Sequence, residues 1–274
     1  MEQIDRNRSK GQLPGRRPPN DREPGPGKPR QVTAVDLFWL DMDVEFTSTS
    51  GEQKQGGTNV ENFPNLIRGA WSDLSAARVR FRDSSSGLPL STVPAPLLTL
   101  AGNSDKVHPM LYWRRPLYLP AQSSLLGDFT NDGAEPAGQV VFLCERPGAE
   151  IEVPVFETRQ YVAVIDLALS GGATGTGVKF TTQIDFDLLI YGAYSTSAGA
   201  LIRLQDTQRR NNWSATQLPV GAFCGVNDGS NVQPIMYYPR PYLLRRNSTL
   251  MAEWTNAGNE TGKYLAFVCE RILR

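Results

Sequence analysis

Two stretches of the chain, QVVFLCER (Gln139–Arg146) and YLAFVCER (Tyr264–Arg271), each set a cysteine, a glutamate and an arginine side by side. A thiol next to a carboxylate could do nucleophilic or redox work, provided it is exposed and its surroundings favour the thiolate. Strand alternation points elsewhere. It puts Cys144, Phe142 and Val140 on one face and Leu143, Val141 and Glu145 on the other. Cys144 and Cys269 then read as small core residues. Cys224 faces Thr99 rather than a third cysteine and belongs to no repeated site. Glu145-Arg146 and Glu270-Arg271 close their strands, and a salt bridge to the Arg115/Arg240 loops or to a neighbouring subunit is the expected use.

Carboxylate pairs are the next candidates. DMD (Asp41–Asp43) and DFD (Asp185–Asp187) alternate along strands, so each pair would share a face, as glycoside hydrolysis or calcium binding requires. The alternative is a solvated strand face, and the two pairs do not align with each other. His108 is the only histidine. A Ser-His-Asp triad would depend on it without a Gly-x-Ser-x-Gly elbow, and a histidine-based zinc site lacks ligands. GGATGTGVKF (Gly171–Phe180) is Gly-rich but lacks the Gly-Lys-Ser/Thr ending of a phosphate loop, so it reads as a hairpin tip. No cofactor is expected.

Arginines cluster with aromatics: Trp113, Arg114 and Arg115; Tyr237, Tyr238 and Arg240; Arg245 and Arg246; Arg209 and Arg210 beside Trp213. Such a surface could stack single-stranded nucleic acid. The formal net charge of zero argues against that. Arg, Tyr and Trp are also the residues enriched in protein interfaces, which is the preferred reading.

These candidates recur because the sequence does. Pro109–Arg146 lies over Pro234–Arg271 without a gap at an offset of 125, with fifteen of 38 positions identical. Upstream the offset is 123: FPNLIRGAW faces FDLLIYGAY and ARVRFRD faces ALIRLQD. A two-residue insertion near Thr207–Trp213 is expected to account for the change. The expectation is a tandem duplication whose unit has the size of a domain.

The 274 residues suffice for two such domains. No run reaches the roughly 20 apolar residues of a spanning helix, and the N-terminus lacks an apolar signal region, so synthesis in the cytosol without membrane insertion is expected. Residues 1–30 hold eight Lys/Arg, four Asp/Glu and ten Gly or Pro. Such a segment buries too little to offset its ordering entropy and should be disordered alone. It reads as an arm whose Arg16, Arg17 and Arg30 dock on neighbours. Beyond it, short alternating runs separated by Gly, Pro, Asn and Ser clusters predict an all-β chain. The expected units are one jelly-roll-like β-sandwich over residues 31–147, a bridging strand over 148–160 and a second sandwich over 161–274.

RPYLLRRNSTLMAEWTNAGNETGKYLAFVCERIL resembles a pattern in virion structural proteins of tailed bacteriophages. An aromatic or apolar strand (Tyr242–Leu244) leads to a Ser/Thr-Leu strand (Ser248–Thr255), a Thr-Asn turn and a final apolar strand (Tyr264–Arg271). The first copy matches with Leu117–Leu119, Ser123–Thr130 and Gln139–Arg146. The resemblance implies a non-enzymatic, homo-oligomeric module in the virion, a decoration, head-fibre, collar or tail component whose partners are capsid, portal or tail subunits. An alternative is a carbohydrate- or receptor-binding module with Trp213 and Tyr194 as sugar platforms. A glycoside hydrolase built on the Asp pairs is a third.

Overall fold

The computed structural model describes residues 29–103, 110–167, 175–197, 199–226, 235–256 and 263–273. The arm up to residue 28, with Arg16 and Arg17, lies outside them, as do His108 and the first half of GGATGTGVKF. What is described is all-β.

The first half holds β2 (Leu37–Thr47), β3 (Gln53–Gly57), β4 (Asn65–Ser72), β5 (Ala77–Asp83), β6 (Ala95–Pro96), β7 (Leu111–Leu119), β8 (Leu125–Asn131) and β9 (Pro136–Glu145). They form two four-stranded sheets, β2-β9-β4-β7 and β3-β8-β5-β6. Chain neighbours are divided between the sheets in the manner of an eight-stranded jelly roll. The second half holds β11 (Glu157–Asp166), β12 (Gly175–Phe180), β13 (Leu188–Ser195), β14 (Ala200–Asp206), β15 (Asn211–Asn212), β16 (Leu218–Pro219), β17 (Gly225–Val226), β18 (Met236–Leu244), β19 (Leu250–Asn256) and β20 (Tyr264–Leu273). Its order is the same: β11-β20-β13 with β18 on β13, and β12-β19-β14 with β16 on β14. Ahead of each half runs a short strand, β1 (Arg30–Ala34) and β10 (Ile151–Val155), and these two pair antiparallel with Val32 opposite Val153. The apolar alternation of Ile151–Val155 thus makes a strand of the connector, as its sequence implies.

The agreement between the halves extends to side chains. Thr58 and Thr181 each accept a backbone N–H, from Leu125 and Leu250, at 3.0 Å. Ser72 and Ser195 each donate to a carbonyl of the last strand, Gln139 and Tyr264. A β-bulge interrupts β4 between Ile67 and Gly69 and β13 between Ile190 and Gly192. A side chain at Gly69 would meet the Leu111 carbonyl at 2.5 Å, and at Gly192 the Met236 carbonyl closer still. Close approach of the neighbouring strand explains why Gly-Ala follows the bulge in both RGAW and YGAY.

The inserted residues are not where the sequence places them. Leu90 donates to Phe81 O and Trp213 to Leu204 O, so these residues are equivalent at an offset of 123. Trp71 with Gly102 and Tyr194 with Gly225 keep that offset. It becomes 125 at Leu111 and Met236, which oppose Ala70 and Ala193. The two extra residues therefore fall between Val226 and Met236.

Phe38, Leu40, Phe81, Phe129, Phe142 and Cys144 fill the first sandwich. A larger core contains the interior of the second sandwich and, continuous with it, Leu37, Trp39, Trp71, Val141 and Leu143 from the outer face of the first. One apolar core thus crosses from half to half. Pro116 of RRPLYLP lies in β7 and both prolines of PRPYLL lie in β18, and β7 is a sheet edge, where a missing donor is tolerated.

Candidate functional site: the joint between the halves

β2 alternates strictly: Phe38, Leu40 and Met42 face the first sandwich's interior, while Leu37, Trp39 and Asp41 face outward. That outward row is what the second half covers. Trp39 is fully buried and lies parallel to Trp213, with centroids 5.2 Å apart and planes 8° apart. Phe223 at 4.9 Å and Tyr238 at 5.8 Å complete an aromatic box around it. Backbone bonds fix the register. Trp39 N–H donates to Trp213 O at 2.6 Å, Trp39 Nε1–H donates to Ala222 O at 3.1 Å, and Val35 N–H donates to Pro241 O at 3.0 Å.

A polar rim surrounds the box. The Glu145 carboxylate, 1% exposed, accepts from Arg68 at 2.7 Å and from Arg240 through both Nε, at 3.0 Å, and Nη2. Donation to the Glu145 carboxylate raises the Arg240 pKa above its ordinary value. Arg209 pairs with Asp36 at 2.8 Å, and Arg146 donates to Asn211 at 3.0 Å. Arg146 also stacks 3.9 Å above the Phe63 ring. Thr216 donates to Asp41 at 2.9 Å. Burial pushes the Asp41 carboxyl up, with the Thr216 bond opposing.

The sequence-level candidates distribute as follows. Tyr238, Arg240 and Tyr237 belong to β18 at the joint. Tyr238 is buried and donates to Phe223 O at 3.1 Å, and the Tyr237 carbonyl accepts the Tyr112 hydroxyl at 2.5 Å. Trp113, Arg114 and Arg115 are not brought to them but lie on the corresponding surface of the first half. Trp113 is half-buried and donates to Leu100 O at 2.7 Å. Arg114 and Arg115 are exposed and make no ion pair among the described residues. Arg245 lies 3.6 Å from Asp187, whose other oxygen accepts the Arg246 backbone N–H at 2.8 Å. Arg30 begins β1 and reaches Glu270 at 3.2 Å.

Two expectations need correction. Trp213 is no sugar platform: it is 0% exposed and plugs the joint, because the strand ahead of it turns it inward onto Trp39. Of the two proposed platform residues, only Tyr194 retains partial exposure. Nor is the Asp41–Asp43 row a solvated face. Asp41 is 8% exposed beneath the second half, whereas Asp43 is exposed and accepts from Gln139. Asp187 is likewise buried and engaged by the Arg245–Arg246 loop.

Cys144 and Cys269 are core residues, as alternation implies, and Cys224 is buried as well. Cys144 packs with the first interior, and Cys224 and Cys269 pack with the second. Burial pushes all three thiols up, Cys269 to about 12, away from the reactive thiolate. Among the described residues, no group of three or more His, Cys, Asp or Glu side chains is placed to hold a metal ion.

Sequence reasoning missed Trp39 and Asp36 as joint residues. A signal was available at the first: Trp39 stands on an outward face where its counterpart in the second half is Val162. A large aromatic on a strand's outer row implies something that covers it. Compared with known proteins, the sequence matches no family model and no curated protein. What the joint can do is mechanical: hydrogen bonds, a buried ion pair and stacked indoles make two sandwiches behave as one unit.

Proposed function

We infer that the chain is a non-enzymatic structural protein of a virus particle, of the tailed-bacteriophage kind that its strand–turn–strand pattern resembles. The observation that carries this reading is the jelly-roll strand order, present twice with matched bulges and joined through one continuous core. Jelly rolls are common in viral shells, and two in one chain offer two similar faces at fixed spacing. Matched order, bulges and clasps also support descent of the halves from one duplicated unit. The side chains that could have done chemistry serve the fold instead: buried thiols, a carboxylate under the joint, an ion pair across it.

On this reading the Arg/Pro/Gly arm docks on neighbouring capsid, portal or tail subunits, and copies of the chain associate. Among the described residues no helix is long and apolar enough to cross a membrane. The test is a density gradient of particles from cells that express the chain. Banding with filled particles at tens of copies each is the expected result. A chain found only among unassembled proteins would defeat the reading.

A further inference from the structure

The joint is heterologous: the outer face of one sandwich receives the aromatic-loop surface of the other. Each half carries both kinds of surface, so the chain ends with one of each unused. Register identifies them. The counterpart of Trp39 is Val162, since Trp39 opposes Leu143 and Val162 opposes the equivalent Val268. Asp41 corresponds to Val164 and Trp71 to Tyr194. In the first half these positions are 0%, 8% and 2% exposed. In the second, Val162 is 50% and Val164 45% exposed, with Val268 and Tyr194 half-exposed beside them. This is an apolar sheet face with no cover among the described residues.

The covering surface is duplicated as well. Trp213, Ala222, Phe223 and Tyr238 correspond to Leu90, Thr99, Leu100 and Trp113. The hydroxyl of Tyr238 meets Phe223 O as the indole of Trp113 meets Leu100 O. In the first half these residues line one concave patch together with Arg115. Leu90 is 41% exposed where Trp213 is sealed.

We propose that a second copy of this chain fills the bare face: the Leu90–Leu100–Trp113 patch of one copy docks on the Val162–Val164–Val268 face of the next. Charge agrees with the apolar match. Arg240, which crosses the joint to Glu145, corresponds to Arg115, which has no ion pair among the described residues, and Glu145 corresponds to Glu270. Glu270 is 32% exposed at the side chain, held by Arg30 at 3.2 Å and Tyr191 at 3.1 Å. Arg115 of one copy therefore meets Glu270 of the next. Head-to-tail contacts of this kind close into a ring when the rotation permits and otherwise run on as a filament. The proposal deepens the structural reading above, since it names the contact by which copies associate.

The test uses two full-length variants, Val162→Asp and Leu90→Asp, each at an exposed position, with thermal melts to show that both remain folded. Wild type at about 100 µM is expected by light scattering to exceed the mass of one chain, and each variant alone to weaken association at least tenfold. Mixed together, the variants are expected to pair one to one and stop there, because each retains the surface the other has lost. A monomeric wild type overturns the proposal and leaves the face to a partner of another kind. An oligomer indifferent to both substitutions overturns it too, as does a mixture that does not pair. Either failure leaves the particle reading standing, since sedimentation with particles is independent of self-association in solution. Conversely, a chain that pairs as described but never bands with particles loses that reading and keeps the interface.

Discussion

The outer faces of the two equivalent sheets share backbone, register and bulge, yet one is interior and the other is surface. Where the first half carries Trp39, Trp71, Leu143 and Val141, the second carries Val162, Tyr194, Val268 and Ala266. All these side chains suit a strand, so local propensity does not separate the faces. Size does. The covered face has two indoles, Trp39 packed on Trp213 and Phe223, and Leu143 and Val141 where the bare face has the smaller Val268 and Ala266. A strand's outer row becomes core only when a complementary surface arrives, and here it arrives from the same chain.

The strongest way to break the comparison is to empty the covered face. Trp39→Ala removes a fully buried indole together with its stacking on Trp213 and its hydrogen bond to Ala222, and should cost about 3–5 kcal/mol. Val162→Ala, the equivalent change on the bare face, should cost well under about 1 kcal/mol. Urea titrations of both variants decide it. Similar midpoints would mean that the joint contributes little beyond an ordinary surface.

Next in size is the ion pair. Arg240→Ala strips the buried Glu145 of one of its two cations, and Arg68 remains. A loss of about 2–3 kcal/mol is expected, below the full cost of an orphaned buried charge. Arg115→Ala, at the equivalent exposed position, should leave chemical denaturation of the single chain unmoved. If Arg115→Ala destabilised as much as Arg240→Ala, burial would not be what distinguishes the two arginines.

The bulges sharpen the comparison from the opposite side, because there the halves are alike. Gly69→Ala and Gly192→Ala each push a methyl group into a neighbouring strand's carbonyl, at Leu111 and Met236. Both should lose about 1–3 kcal/mol. A tolerated change in one half only would show that one of the neighbouring strands β7 and β18 yields where the other does not.

The resemblance between the halves was legible because it rests on short-range constraints written into side chains. A bulge against a close strand requires glycine, so RGAW and YGAY align. The strand reading of QVVFLCER placed its cysteine inward correctly because alternation alone decides that. The joint was not legible, since it depends on which surfaces meet across well over a hundred residues of chain. Trp213 sits among TQRRNN, a run that looks solvated, and only the fold turns it onto Trp39. The position of the inserted pair was lost for a related reason. Loops carry no periodicity, and it takes the hydrogen bonds of Leu90 and Trp213 and the pairings of Gly102 and Gly225 to show that the register survives past Thr207.

The smallest expected effect concerns Asp41, whose counterpart Val164 is uncharged and exposed. Covering the first face took Asp41 out of water, and burial raises its pKa above the value it has in an unfolded chain. A carboxyl raised on folding binds its proton more tightly in the native state. Its ionised form therefore weakens the fold at pH above the native pKa, and the penalty fades as pH falls through that pKa toward the unfolded value. Asp41→Asn keeps an acceptor for Thr216 and removes the charge. The variant should melt above wild type at pH 7, by on the order of 1–2 °C, and the gap should narrow at pH 4. An equal gap at both pH values would mean that the side chain's shape, rather than its desolvated charge, sets the difference. The Thr216 bond, which opposes the shift, would then offset burial at Asp41.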